Sequence, residues 1–195
     1  SNLLMKKIIA FGASSSKNSI NKVFASHAAS LIDGSESIIL DLNDFEMPIF
    51  SVDRQDEFGI PDLAFKFKNK IKSCNGIVIS FAEHNSSYTA AFKNIFDWIS
   101  RIEKDVWYNK PMLLLSTSDG KRGGRNVLKM AYSRISRGIT HKIPIFSLPF
   151  FYENFKTNVG IIDSDLNLEF KKSLNLFQEN LDLYGNWNFQ YGRPG

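Results

Sequence analysis

Apolar and polar positions along the chain change period at regular intervals, and the changes mark out alternating strands and helices. "KKIIAFGA" (6–13) is a short β-branched run reaching Gly12. After a Ser-rich stretch, "SINKVFASHAASLI" sets Ile20, Val23, Phe24, Ala28 and Leu31 at helical spacing, with Ser19 as N-cap. "SIILDL" reads as a second strand and "NDFEMPIFSVDRQDEFG" as a long polar loop. Pro61 stands where helices start, and "PDLAFKFKNKIKSC" continues from it. "GIVISFA" has the unbroken apolar character of a central strand. In the helix after it, Ala91, Phe92, Ile95, Phe96, Ile99 and Ile102 share one face. "PMLLLSTS" is another buried strand, then a Gly-rich turn and a basic helix. "IPIFSLPFF" supplies a fifth strand, and "LNLEFKKSLNLFQENLDLYG" a last helix.

Strands alternating with helices imply right-handed crossovers and an α/β architecture, with a parallel sheet covered on both faces. The pattern shows no repeat and no linker, so residues 1–195 read as a single domain. Residues 1–4 are set aside as a tag or a frayed end. The aromatic tail from 185 ("NWNFQYGRPG") either docks on a neighbouring subunit or frays.

Composition narrows the class. A chain of 195 residues buries about 70% of its unfolded surface without staples. Its 17 Phe point to a core of aromatic rather than Leu packing. The single cysteine, Cys74, excludes an internal disulfide and fits a reducing compartment, so a cytoplasmic setting is expected. No apolar run reaches the ~20 residues of a membrane span, and no membrane partner is expected. The formal charge of +4 is unevenly placed: Lys121, Arg122, Arg125, Lys129, Arg134, Arg137 and Lys142 lie in a segment without Asp or Glu. The plain reading is a solvated helix face; the sharper one is an anion site or an acidic partner surface. Nucleic acid is disfavoured because aromatics and cations are not interleaved there.

In parallel sheets of this kind ligands sit beyond the carboxyl ends of the strands, at the topological switch point. The chain is chemically loaded at three such places. "GASSSKNSIN" follows strand one, and its small residues, hydroxyls and helix N-terminus suit a phosphate. It is neither a GxxxxGK[ST] nor a GxGxxG loop. "AEHNSSYTAAFKNIFDW" follows strand three, and "STSDGKRGG" follows strand four, with two glycines that permit close backbone approach to a flat ligand. His27, His84 and His141 lie far apart without ligand companions, so no metal site is expected. No GxSxG elbow is present, which disfavours a serine hydrolase. Cys74 reads as a buried structural thiol, and Trp98 and Trp107 as core or subunit-interface anchors.

Taken together, "GASSSKNSIN", "AEHNSSYTAAFKNIFDW" and "KPMLLLSTSDGKRGG", with "DLNDFEMPIFSVD", resemble the NADPH-dependent FMN reductase family over residues 5 to 150. The resemblance implies a flavodoxin-like three-layer sandwich with a five-stranded parallel sheet of order 2-1-3-4-5. It implies non-covalent FMN, NADPH or NADH as co-substrate, and a homodimer or homotetramer.

In the family motif GS-x-R-x-x-S-x-N, which surrounds the FMN phosphate, Ser14, Ser19 and Asn21 match. Ser16 takes the Arg position with Lys17 beside it, a point charge in place of a bidentate fork. In PEYN-x-S, Glu83, Asn85 and Ser87 match, Ala82 replaces Pro and His84 replaces Tyr; with Ser86 this loop is expected to line the isoalloxazine. Lys93, Asn94, Asp97 and Trp98 match the helix after it. Its apolar face, Phe92, Phe96, Trp98 and Ile99, suits an oligomer interface. In S-x-S-x-G-x-x-GG, Ser116, Ser118, Gly120, Gly123 and Gly124 match and would pass along the ring's other edge.

The chemistry so implied is flavin-centred: a hydride passes from NAD(P)H to FMN and on to a quinone, flavin, azo or similar small acceptor, in ping-pong order. No side-chain acid or base is essential to it. His84 is the candidate proton donor, with ring packing or hydrogen bonding as its plainer role. Arg122 and Arg125 are candidates for the NADPH 2′-phosphate. Two alternatives stay open: a flavin-binding electron carrier or regulatory module without NAD(P)H turnover, and a chain that has lost FMN together with the family Arg.

Overall fold

The structure is a computed structural model describing residues 5–185; residues 1–4 and the tail beyond Gly185 lie outside the described residues. Strands β1 (Lys6–Ala13), β2 (Ser35–Ile39), β3 (Gly76–Phe81), β4 (Met112–Thr117) and β5 (Ile145–Leu148) form one parallel sheet, ordered β2-β1-β3-β4-β5. The flavodoxin-like order expected from the resemblance is therefore the order observed. β3 and β4 are buried along their whole length because helices cover both faces, which is why their sequences carry no alternation. The register aligns Ala13 with Phe81 and Phe81 with Ser116, so the loops after β1, β3 and β4 leave the same edge.

Helices α3 (Asp62–Ser73), α4 (Ala90–Ser100) and α5 (Arg125–Ile135) bury Phe67, Ile71, Phe92, Ile95, Val127 and Leu128 on one face. Helices α1 (Ile20–Ser30) and α7 (Ser164–Tyr184) bury Phe24, Ala28, Phe170 and Phe177 on the other. Phe rings meet edge to face in both layers, Phe11 on Phe67 at 5.5 Å and Phe24 on Phe155 at 6.1 Å, as the Phe-rich composition suggested. Gly12 lets β1 touch α1: a Cβ there would stand 2.4 Å from the Lys22 nitrogen.

Several boundaries differ from the sequence reading. The long polar loop contains a 3-10 turn, Leu42–Phe45, and a helix, α2 (Val52–Phe58). Ser51 caps α2 by accepting from the Arg54 N–H, but α2 buries no residue, so it leaves no apolar stripe in the sequence. In α1 Val23 is exposed and Leu31 is exposed at the C-cap; the buried face runs through Asn21, Phe24, Ala25, Ala28 and Ala29. β2 begins at Ser35, where Lys6 pairs with it, and stops at Ile39. The residues after β5 turn into a short helix, α6 (Phe151–Asn154), and a hairpin of β6 (Phe155–Lys156) and β7 (Gly160–Ile161). α7 starts at Ser164, two residues before the expected start, because Asp163 caps it.

The surplus apolar face of α4 is covered by its own chain. Phe92, Phe96, Trp98 and Ile99 are all buried, the Trp98 indole donates to Pro48 O at 2.7 Å, and the Phe50 ring meets it edge-on. Asn94 accepts from Phe50 N and donates to Met47 O and Pro48 O. These residues thus clamp the segment 47–50 and give no reason for a subunit interface. Trp107 is likewise core. Cys74 is buried, and burial pushes its thiol up to about 11.

Candidate functional site

At the carboxyl edge of the sheet three loops are braced into one rim by hydrogen bonds that cross between elements. Asn21, in the first turn of α1, donates through Nδ2 to Thr117 O at 3.2 Å. Its Oδ1 accepts from Ser80 Oγ at 2.7 Å and from Thr117 N at 3.1 Å. Three of the amide's four hydrogen-bonding positions are therefore taken by the ends of β3 and β4. Thr89, the N-cap of α4, accepts from Phe92 N and donates to Ala13 O at 2.8 Å, tying the third-strand loop to the end of β1. Asn43 donates to Ser15 O at 2.9 Å, which adds the segment after β2.

In the first loop, Ser14 Oγ accepts from Ser16 N and Ser19 Oγ accepts from Lys22 N, so each hydroxyl keeps its own hydrogen to donate. Ser16 and Lys17 are exposed, and Lys17 forms no ion pair among the described residues. Lys22 is held elsewhere, on Asp41 at 2.9 Å; that hydrogen bond, followed by the Asn43 backbone N–H, keeps the Asp41 carboxyl below its usual range. The positive end of α1 and its leading N–H groups face this loop.

The loop after β3 is a tight turn. His84 and Ser87 exchange backbone hydrogen bonds at 3.1 and 3.0 Å, and Asn85 and Ser86 have φ of 52° and 62°, the paired left-handed values of a two-residue hairpin turn. Ala82 is half-buried at its base, while the side chains of His84, Asn85 and Ser86 are exposed. Glu83 points inward: its Oε1 accepts from Val127 N at 2.8 Å. Val127 is the third residue of α5, whose N-cap, Gly124, has no side chain to offer; Glu83 supplies the missing acceptor from 44 residues away. Ser87 Oγ reaches Met130 Sδ at 3.5 Å on the same helix. Tyr88 packs on Phe81 and Phe92, and burial raises its pKa.

In the loop after β4, Ser116 Oγ donates to Gly123 O at 2.6 Å, and Ser147 Oγ to the same oxygen at 2.8 Å. Gly123 and Gly124 have φ of 56° and 74° and pack onto the strand ends; a Cβ on Gly123 would lie 2.7 Å from Leu148 O. These two glycines thus serve the turn into α5. Gly120 differs: the nearest atom to a Cβ there is Ser118 Oγ at 4.0 Å, so its face is open. Ser118 is half-buried and bonded within its own turn. Arg122 and Arg125 are exposed at the start of α5.

A model of the NADPH-dependent FMN reductase family matches residues 6–144. The chain belongs to that family. It is 30% identical over 185 residues to a 2-hydroxy-1,4-benzoquinone reductase of a Burkholderia species, covering 93% of this chain and 95% of the relative. It is also 25% identical over 140 residues to an NADPH azoreductase of a Bacillus species, covering 71% and 73%. Among solved structures, the FerB NAD(P)H:(acceptor) oxidoreductase of Paracoccus denitrificans superposes with a TM-score of 0.72 at 19% identity, over 92% of this chain and 99% of that one. As a family member the protein is an oxidoreductase that works with FMN, taking NAD(P)H as co-substrate.

The residues present fit that group. The unspent hydroxyl hydrogens of Ser14 and Ser19, the free Lys17 ammonium and the α1 terminus form a donor set for a phosphate, with no carboxylate bonded into it. The open side of Gly120 and the turn at 84–87 follow strands that end at the same edge of the sheet. A hollow of about 160 Å³ adjoins the first loop at Ser15, lined also by Asn43, Glu46, Met47 and Asn94. The sequence reading did not single out Ser80, Thr117, Thr89 or Asn43 as rim braces. The available signal was a lone hydroxyl at the end of an apolar strand, as in "GIVISFA".

Proposed function

We propose that the rim binds FMN, with its phosphate on Ser14, Ser16, Lys17 and Ser19 and its ring between the loops at 82–87 and 118–124. What carries this reading is the cross-bracing of the three loops, which leaves outward hydroxyls, amides and one lysine unengaged. Bound FMN supplies hydride acceptance from NAD(P)H and electron delivery to a small acceptor such as a quinone, free flavin or azo compound, in ping-pong order. The chain's own residues bind and orient. Asn21 and Thr89 hold the loop bases, and Glu83 fixes the separation between the third-strand loop and α5. Because the Glu83 carboxylate is engaged on the helix N–H, it is not the proton donor. We keep His84, exposed on the turn, as the candidate proton donor to a reduced acceptor, with ring packing or hydrogen bonding as its plainer role.

The test begins with the visible spectrum of the purified protein after incubation with FMN and desalting. Anaerobic NADPH is then expected to bleach the yellow species, and varying NADPH at several quinone concentrations to give parallel double-reciprocal lines. A colourless protein, or a yellow one that neither nucleotide bleaches, refutes the reading. We infer in addition a homodimer or homotetramer from the family resemblance, checked by light scattering, and a cytoplasmic setting, supported by the single buried thiol. No helix among the described residues is long and apolar enough to cross a membrane.

A further inference from the structure

We propose that the corner of the rim formed by Lys121, Arg122, Phe150 and Tyr152 is a subsite for the adenosine 2′-phosphate end of NADPH; this deepens the reductase reading and rests on it. The corner is built from two segments far apart in sequence and locked together. Phe150 N donates to Gly120 O at 3.0 Å, Phe151 N donates to Ser118 O at 2.9 Å, and Ser147 Oγ reaches Arg122 O at 3.3 Å. The turn that carries Lys121 and Arg122 therefore runs alongside the end of β5 and the start of α6, next to Gly120.

Both cations are exposed, and neither takes part in an ion pair among the described residues. Arg125 folds its guanidinium back towards the carbonyls of Lys121 and Arg122, stiffening the turn that presents them. The aromatic half is unusual. Phe150 holds φ of 48°, a left-handed value rare for a bulky side chain, and is 38% exposed; Tyr152 is 72% exposed. The Tyr152 ring meets Phe151 edge-on at 5.5 Å and is otherwise largely open to solvent.

Exposed aromatic rings and two unpaired cations carried on two segments bonded to each other suit a purine carrying a phosphate on its ribose. Asp119 and Glu153, both exposed nearby, keep the net field of the corner small, so discrimination comes from contact rather than from long-range charge.

The experiment titrates adenosine 2′,5′-bisphosphate and 5′-AMP into the FMN-incubated protein by calorimetry, and measures kcat/KM for NADPH and NADH in parallel. The bisphosphate is expected to bind at least tenfold more tightly than 5′-AMP. Tyr152→Ala is expected to weaken both probes about tenfold, the order of one lost base stack. Tyr152→Phe is expected to restore them, which separates stacking from any folding defect. Arg122→Gln is expected to weaken the bisphosphate alone, about tenfold, and to erase the NADPH preference. Lys129→Gln, farther along α5, is expected to change neither. Equal binding of the two probes, indifference to Tyr152→Ala, or an equal loss of both probes in Arg122→Gln would each overturn the subsite. A yellow protein bleached equally well by both nucleotides overturns the subsite alone, whereas a colourless protein overturns the flavin reading.

Discussion

Asn21 is the residue on which the site's geometry turns, and its removal has a size that can be worked out. Truncation to Ala deletes three hydrogen bonds, of 2.7, 3.1 and 3.2 Å, and strands the Ser80 hydroxyl and the Thr117 N–H and C=O. Ser80 and Thr117 are 0% and 1% exposed, so solvent does not replace the lost partners without entering the sheet edge. A buried hydrogen bond contributes about 1 kcal/mol, and an abandoned buried polar group costs about 1–3 kcal/mol. Allowing for one water drawn into the space left, Asn21→Ala should lower unfolding free energy by about 3–4 kcal/mol, a large share of an ordinary domain's 5–15 kcal/mol. Urea unfolding followed by the buried tryptophans measures this directly. A double-mutant cycle with Ser80→Ala should return a coupling of about 1 kcal/mol or more, because the two side chains share a bond. The same variant should lose FMN affinity more steeply than a variant equally destabilised in the α7 layer. A loss below 1 kcal/mol, or additivity with Ser80→Ala, refutes the view that this amide joins the loop to the strands.

Glu83→Ala removes the distant cap of α5 and should cost about 1 kcal/mol in stability, while FMN affinity falls because two loops lose their spacer; unchanged affinity by fluorescence titration contradicts this. Ser16→Arg introduces a bidentate fork beside the first-loop hydroxyls and should tighten FMN binding about tenfold, read by the same titration; weaker binding would mean the phosphate lies elsewhere. Lys68 is 2% exposed, donates to Asp105 O and Val106 O, and lies 3.8 Å from the Tyr108 ring centre; burial lowers its pKa to about 8. The unfolded chain then holds more protons between about pH 8 and the ordinary lysine pKa, so stability should rise with pH across that window; Lys68→Met should lose this slope, by urea melts at stepped pH. Cys74, its thiol raised to about 11 by burial, should react with a disulfide reagent at pH 8 only at the rate of unfolding; rapid native labelling contradicts the packing.

The sheet was legible because parallel strands covered on both faces must be apolar throughout, and "GIVISFA" and "PMLLLSTS" have that character. The three rim loops were legible because polar clusters follow those runs immediately. The bracing was not. Asn21 stood out as a motif match, but its bonds to two strand ends show only once those strands are in place, and Glu83 finds its partner 44 residues on. α2 escaped because it buries nothing, so periodicity had no stripe to detect. The apolar excess on α4 suggested a neighbour because nothing local announces that the segment 47–50 returns to cover it. The left-handed Phe150 was equally hidden, since the sequence around it reads as a continuing strand.

The braces use inward side chains and main-chain atoms, while residues 16, 17, 84, 85 and 86 take no side-chain part in them. Scaffold and chemistry are therefore written on separate letters of the same loops. Descendants of this chain can exchange the outward letters and drift to new oxidants without re-inventing the frame. Such a division of labour explains how one architecture diversifies its appetite while its skeleton stays still.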